Sequence, residues 1–98
     1  MKKDFEVTLT NLDGTPSLLQ GDKPLLMRFV VHEGLLNTDP QMTVEEKTVR
    51  WRLVQKTLNE RFVNITVEEA ALIKKSVSGL PILLMGQVFD WLESDIQE

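Results

Sequence analysis

From Phe5 to Thr10 the apolar residues Phe5, Val7 and Leu9 alternate with Glu6, Thr8 and Thr10, the period of a half-buried strand. Asn11-Leu12-Asp13-Gly14 follows and signals a turn. The pattern predicts a β-hairpin whose return strand is Thr15 to Leu19, with Pro16 confining it to an edge. After Gly21, Asp22 as N-cap and Pro24 in the first turn predict a helix over Leu25 to Leu36, although Phe29, Val30 and Val31 favour strands. Thr43-Val44-Glu45-Glu46 and Thr66-Val67-Glu68-Glu69 both place Thr ahead of a Glu at capping-box spacing, with acidic charge where the helix dipole favours it. Helices are predicted over Val44–Glu60 and Val67–Ser78. Phe62 to Ile65, between them, is a candidate third short strand for the hairpin. Gly79 suits a left-handed helix end, and Pro81 suits the first turn of a last helix reaching about Ser94.

That last segment carries the most apolar face. Ile82, Met85, Phe89, Leu92 and Ile96 recur at helical spacing, and Leu84, Val88 and Trp91 widen the stripe. Gly86, Gln87, Asp90 and Glu93 form its polar side. Only Ile82 to Met85 are consecutively apolar, whereas a bilayer span needs about 20 such residues, so the segment is not read as a membrane anchor. A stripe this wide exceeds what a small chain is expected to hide, which makes Met85, Val88, Phe89 and Trp91 candidate protein-binding residues. Trp51 groups with Val44, Val54, Leu58 and Phe62 on one side of its helix and is expected in the core. The whole is a single α+β domain over residues 1–98, mostly helical, with an N-terminal hairpin packed on three to four helices.

Composition narrows the functional classes. A chain of 98 residues buries a thin core, so self-association is compatible with it. The formal net charge of −4 disfavours nonspecific attraction to nucleic acid or anionic lipid. The chain has no cysteine, which excludes disulfides, thiolate metal sites and cysteine nucleophiles. Its N-terminus starts basic without the apolar run of a secretory signal, so a cytoplasmic setting is expected and Asn64-Ile65-Thr66 reads as a chance glycosylation match.

Candidate chemistry is sparse. His32 is the only histidine and has neither a recognisable nucleophile nor enough companion ligands for zinc. The carboxylate pairs Glu45-Glu46 and Glu68-Glu69 are accounted for by capping, and Asp90 with Glu93 by a solvated face. No phosphate cradle, nucleophile elbow or calcium loop occurs, so no enzyme activity, metal or cofactor is expected. The second predicted helix carries Lys47, Arg50, Arg52 and Lys56. At helical spacing these split into two groups, and Glu46 faces Arg50 one turn on. Nucleic-acid binding through Arg50, Arg52 and Lys56 is therefore the alternative, not the leading reading.

Taken in order, "LTNLDGTPSLL", "MTVEEKTVRWRLVQK" and "ITVEEAALIKKSVSGLPILLMGQVFDWLE" resemble small accessory proteins of tailed bacteriophages and prophages, most recognisably in "EEAALIKK" and "GQVFDWLE". The resemblance covers most of the chain but consists of packing and capping patterns, so it transfers no functional residue. It implies a bacterial cytoplasm and stoichiometric binding of a host or phage protein. A virion or tail assembly factor is a further alternative under it.

Overall fold

The structure, a computed structural model, describes residues 1–17, 22–37 and 39–94. Its elements run β1 (Lys2–Asp4), α1 (Met27–Leu36), α2 (Val44–Lys56), β2 (Phe62–Asn64), α3 (Val67–Val77) and α4 (Ile82–Glu93). The fold is α+β, as expected, but its sheet is differently built. β1 pairs antiparallel with β2, Lys3 opposite Val63, so the strand partner of the N-terminus lies some sixty residues along the chain.

The alternating segment Phe5–Thr10 is not a regular strand. It runs beside the approach to α1: Leu9 N–H donates to Leu25 O, Met27 N–H to Val7 O and Arg28 N–H to Phe5 O. Those last two bonds satisfy first-turn donors of α1 that a capping side chain normally takes. The expected cap at Asp22 is thus replaced; Leu26 is the N-cap and uses no side-chain bond. Residues 23–26 are needed as an extended partner for the N-terminal segment, and the helix starts only after them. Among the described residues the hairpin shows the bridge of Thr10 with Pro16 and the bond from Ser17 N–H to Leu9 O, closed by a turn in which Gly14 adopts φ +87° and Asn11 N–H donates to Thr15 O. Leu18, Leu19 and Gly21 of the predicted return strand and loop lie outside the described residues.

The two capped helices form as read. Thr43 accepts from Glu46 N–H, and Thr66 with Glu69 completes a reciprocal capping box. α2 stops at Lys56, short of the predicted Glu60; Thr57 is its C-cap, and the Thr57 carbonyl accepts from Arg28 of α1 where a further turn of helix would have supplied the donor. Gly79 has no left-handed φ; α3 ends through Ser78 in right-handed geometry, and Pro81 is the N-cap of α4, not its first-turn residue.

Phe5, Leu9, Met27, Val31, Leu53, Ile73, Val77, Val88 and Leu92 centre the core. α1 lies against α3 closely enough that a Cβ on Gly34 would come within 2.7 Å of Val77 Cγ1. The N-terminal segment crosses α4 and is stitched to it. Gln87 accepts from Thr10 N–H and donates to Thr10 O, both at 2.9 Å, standing in for a neighbouring strand. Lys3, 1% exposed, sends its ammonium to Trp91 O and Ser94 O at the C-terminal end of α4. α4 has no basic residue in its last turn, so the cation that its dipole favours comes from β1.

Candidate interaction surface

The two tryptophans exchange the places expected of them. Trp91 is 8% exposed, edge-on to Phe5 with ring centroids 4.9 Å apart, and its Nε1–H donates to Asp4 O. Val88 is wholly buried. Of the predicted contact set, Val88 and Trp91 therefore face inward, and Met85 and Phe89 are half-buried against the core. Trp91 is covered by Phe5 and Lys3 of the same chain, and Phe89 lies under the Lys74 ammonium of α3, neighbours that a helical projection of α4 alone does not contain. Ile82 is the exposed end of the predicted stripe, while Ile96 lies outside the described residues.

Trp51, by contrast, is 54% exposed. The buried face of α2 is Arg50, Leu53, Val54 and, just beyond the helix, Thr57. Val44 and Trp51 share a different face and are exposed, as are Leu58 and Phe62 beyond the helix; only Val54 of the expected core group is buried. The signal that misled is Arg50, a charged residue on the inward side. Its guanidinium donates to Gly34 O and Asn37 O, at the end of α1, and pairs with Glu46 at 2.9 Å. The Glu46–Arg50 pair was legible; its burial was not.

Arg28 of α1 returns the arrangement. It donates to Thr57 O and Glu60 O, beyond the end of α2. Each of these helices thus supplies the arginine that satisfies carbonyls at the other's C-terminus. His32 lies between them with Nε2 2.8 Å from Thr57 Oγ1. Because the Thr57 hydroxyl already donates to Leu53 O, the geometry assigns the proton to His32 Nε2. Burial, with Arg28 nearby, lowers the His32 pKa, which keeps the ring neutral.

Above this tie lies the open surface. The outer side of α1 forms an apolar groove of about 410 Å³ whose walls include Pro24, Leu26, Phe29, His32 and Leu36. Leu36 carries it into a hollow against Met42 and Trp51, and Phe29 into another against Leu80 and Leu84. Phe29, Leu36 and Trp51 are each 44% or more exposed, and the linked hollows join the three along this pair of helices.

The basic residues of α2 do not assemble into one face. Arg50 is buried, Lys56 bonds Glu69 at 2.8 Å, and Arg52 stands exposed. Among the described residues no three His, Asp or Glu side chains gather to hold a metal ion. Among those residues no helix is long and apolar enough to cross a membrane. Compared with known proteins, the chain matches no family model, no curated protein and no solved structure.

Proposed function

We propose that the chain is a non-catalytic protein-interaction module, a phage or prophage accessory protein that binds a protein of the host or the phage stoichiometrically. The contact surface is the outer side of α1 with Trp51, in place of the α4 edge. One observation carries this reading: a tryptophan more than half exposed continues an apolar groove floored by Phe29 and Leu36. Large aromatic side chains beside a preformed apolar depression supply most of the energy in protein interfaces, and contiguous apolar patches on small soluble chains mark such sites.

The test replaces Trp51 with a photo-cross-linking residue in bacterial cells and follows adduct formation. A discrete adduct that disappears when Leu36→Glu is introduced, with the melting curve unchanged, supports the reading. An adduct indifferent to Leu36→Glu, or none at all, overturns it.

A further inference from the structure

The rim of the groove has a charge opposite to that of the chain. The sequence has 15 acidic and 11 basic residues, yet the side chains lining the groove and its two extensions include Lys23, Arg28, Lys47 and Arg50 against a single carboxylate, Glu33. Arg50 is held by Glu46 at 2.9 Å and Arg28 by Glu6 at 3.5 Å. Lys23 and Lys47 are in no ion pair among the described residues, so their charge is available to a partner. Lys47 precedes Trp51 by one helical turn and shares its hollow, while Lys23 borders the groove beside Phe29.

The shape is that of a receptor for a helix. Phe29, His32, Glu33 and Leu36 recur along α1 at i, i+3, i+4 and i+7, a ridge on which a second helix seats its own apolar row. A second copy of this chain meeting the same face across a two-fold axis sets like cations against one another. Resting on the interaction reading above, we infer that the groove receives an amphipathic helix of an acidic partner protein. Its apolar residues cover Phe29 and Leu36 and abut Trp51, and its flanking Asp and Glu side chains meet Lys23 and Lys47.

The experiment uses the full chain, ¹⁵N-labelled, and a fluorescein-tagged synthetic peptide of about 18 residues, long enough to be partly helical in water. The peptide has a Leu/Phe seam with Glu on both flanks; its twin replaces every Glu by Lys. The acidic peptide is expected to bind at least about tenfold more tightly than the twin. It is expected to shift the Trp51 indole resonance and leave that of Trp91 in place, and Lys23→Glu with Lys47→Glu should reverse the preference. Equal affinity for the twins overturns the inference. So does a protein that sediments as a dimer with Trp51 protected, which makes the occupant a second copy. If neither peptide binds while the adduct from position 51 persists, the acidic-helix inference fails and the interaction reading stands; loss of that adduct as well removes both.

Discussion

Trp91 Nε1 donates to Asp4 O at 2.9 Å, and this one bond joins β1 to the last turns of α4 across nearly the whole sequence. It also shows what a single helix projection misses. Trp91 sits at the border of the apolar stripe of α4, and its polar edge is satisfied by a backbone carbonyl that no local pattern reveals.

The first prediction follows from the exchange of tryptophans. Trp91→Ala removes a buried ring and its hydrogen bond and is expected to cost about 3–5 kcal/mol. Trp51→Ala is expected to change stability by about 0.5 kcal/mol or less. Urea titrations of the two variants followed by far-ultraviolet circular dichroism check this, and equal losses would contradict the assignment of Trp51 to the surface.

Lys3 gives the second. Lys3→Met keeps most of the buried stem but removes the ammonium from Trp91 O and Ser94 O. Trp91 O retains the Ser94 hydroxyl as a donor, so the loss is partial. A destabilisation of about 2 kcal/mol is expected, with faster amide exchange in the last turn of α4 than in α2.

Two glycines within helices are predicted to respond with opposite sign. At Gly34 an added methyl meets Val77 Cγ1 at 2.7 Å and Ser76 O at 3.0 Å, so Gly34→Ala forces α1 from α3 and is expected to cost about 1–3 kcal/mol. At Gly86 the same methyl meets nothing within 4 Å, and Gly86→Ala is expected to stabilise by about 0.5–1 kcal/mol through helix propensity and unfolded-state entropy. Thermal melts of the pair should move in opposite directions.

Glu46 is one of five carboxyls, with Asp4, Asp13, Glu69 and Glu93, held below their ordinary range and through which acid should act. Hydrogen bonds from Lys75 and then Arg50 hold its carboxyl below the ordinary value of 4.5. A depressed folded-state pKa gives stability that is present above the unfolded value and lost as pH falls through the folded one. The wild type is therefore expected to lose stability below about pH 4.5, and Glu46→Gln to show a shallower acid limb and lower stability at neutral pH. His32 acts in the same direction at higher pH. Burial and then Arg28 lower its folded pKa below 6.5, so protonation favours the unfolded chain as pH drops beneath that value. His32→Gln should flatten the profile there. Stability measured from pH 3 to 8 separates the two groups.

Sequence reading succeeded where the determinants are local. Thr43 with Glu46 and Thr66 with Glu69 are neighbours on the chain, and their helices start where the spacing places them. The α+β class and the turn at Asn11–Gly14 were legible for the same reason. Asp22 misled because its segment is claimed by a distant one: the carbonyls of Phe5 and Val7 cap α1, and a helix begun at Leu25 would forfeit the bond from Leu9 N–H. The exposure of Val88, Trp91 and Trp51 was misread through the same blindness to distant contacts. Which side of α2 faces inward depends on Arg50 finding Gly34 O and Asn37 O, and Trp91 is covered by Phe5 and bonded to Asp4 far upstream.

The tie between β1 and α4 also bears on how the molecule is made. Lys3 leaves the ribosome long before Trp91 and Ser94, so the first strand must wait for both β2 and its carbonyl acceptors. The contact closes over 88 residues of sequence, and such long-range closure is slow relative to helix formation. The nascent chain thus carries Phe5 without the Trp91 ring until α4 has been made, and docking of the first strand on that helix is a late step of assembly.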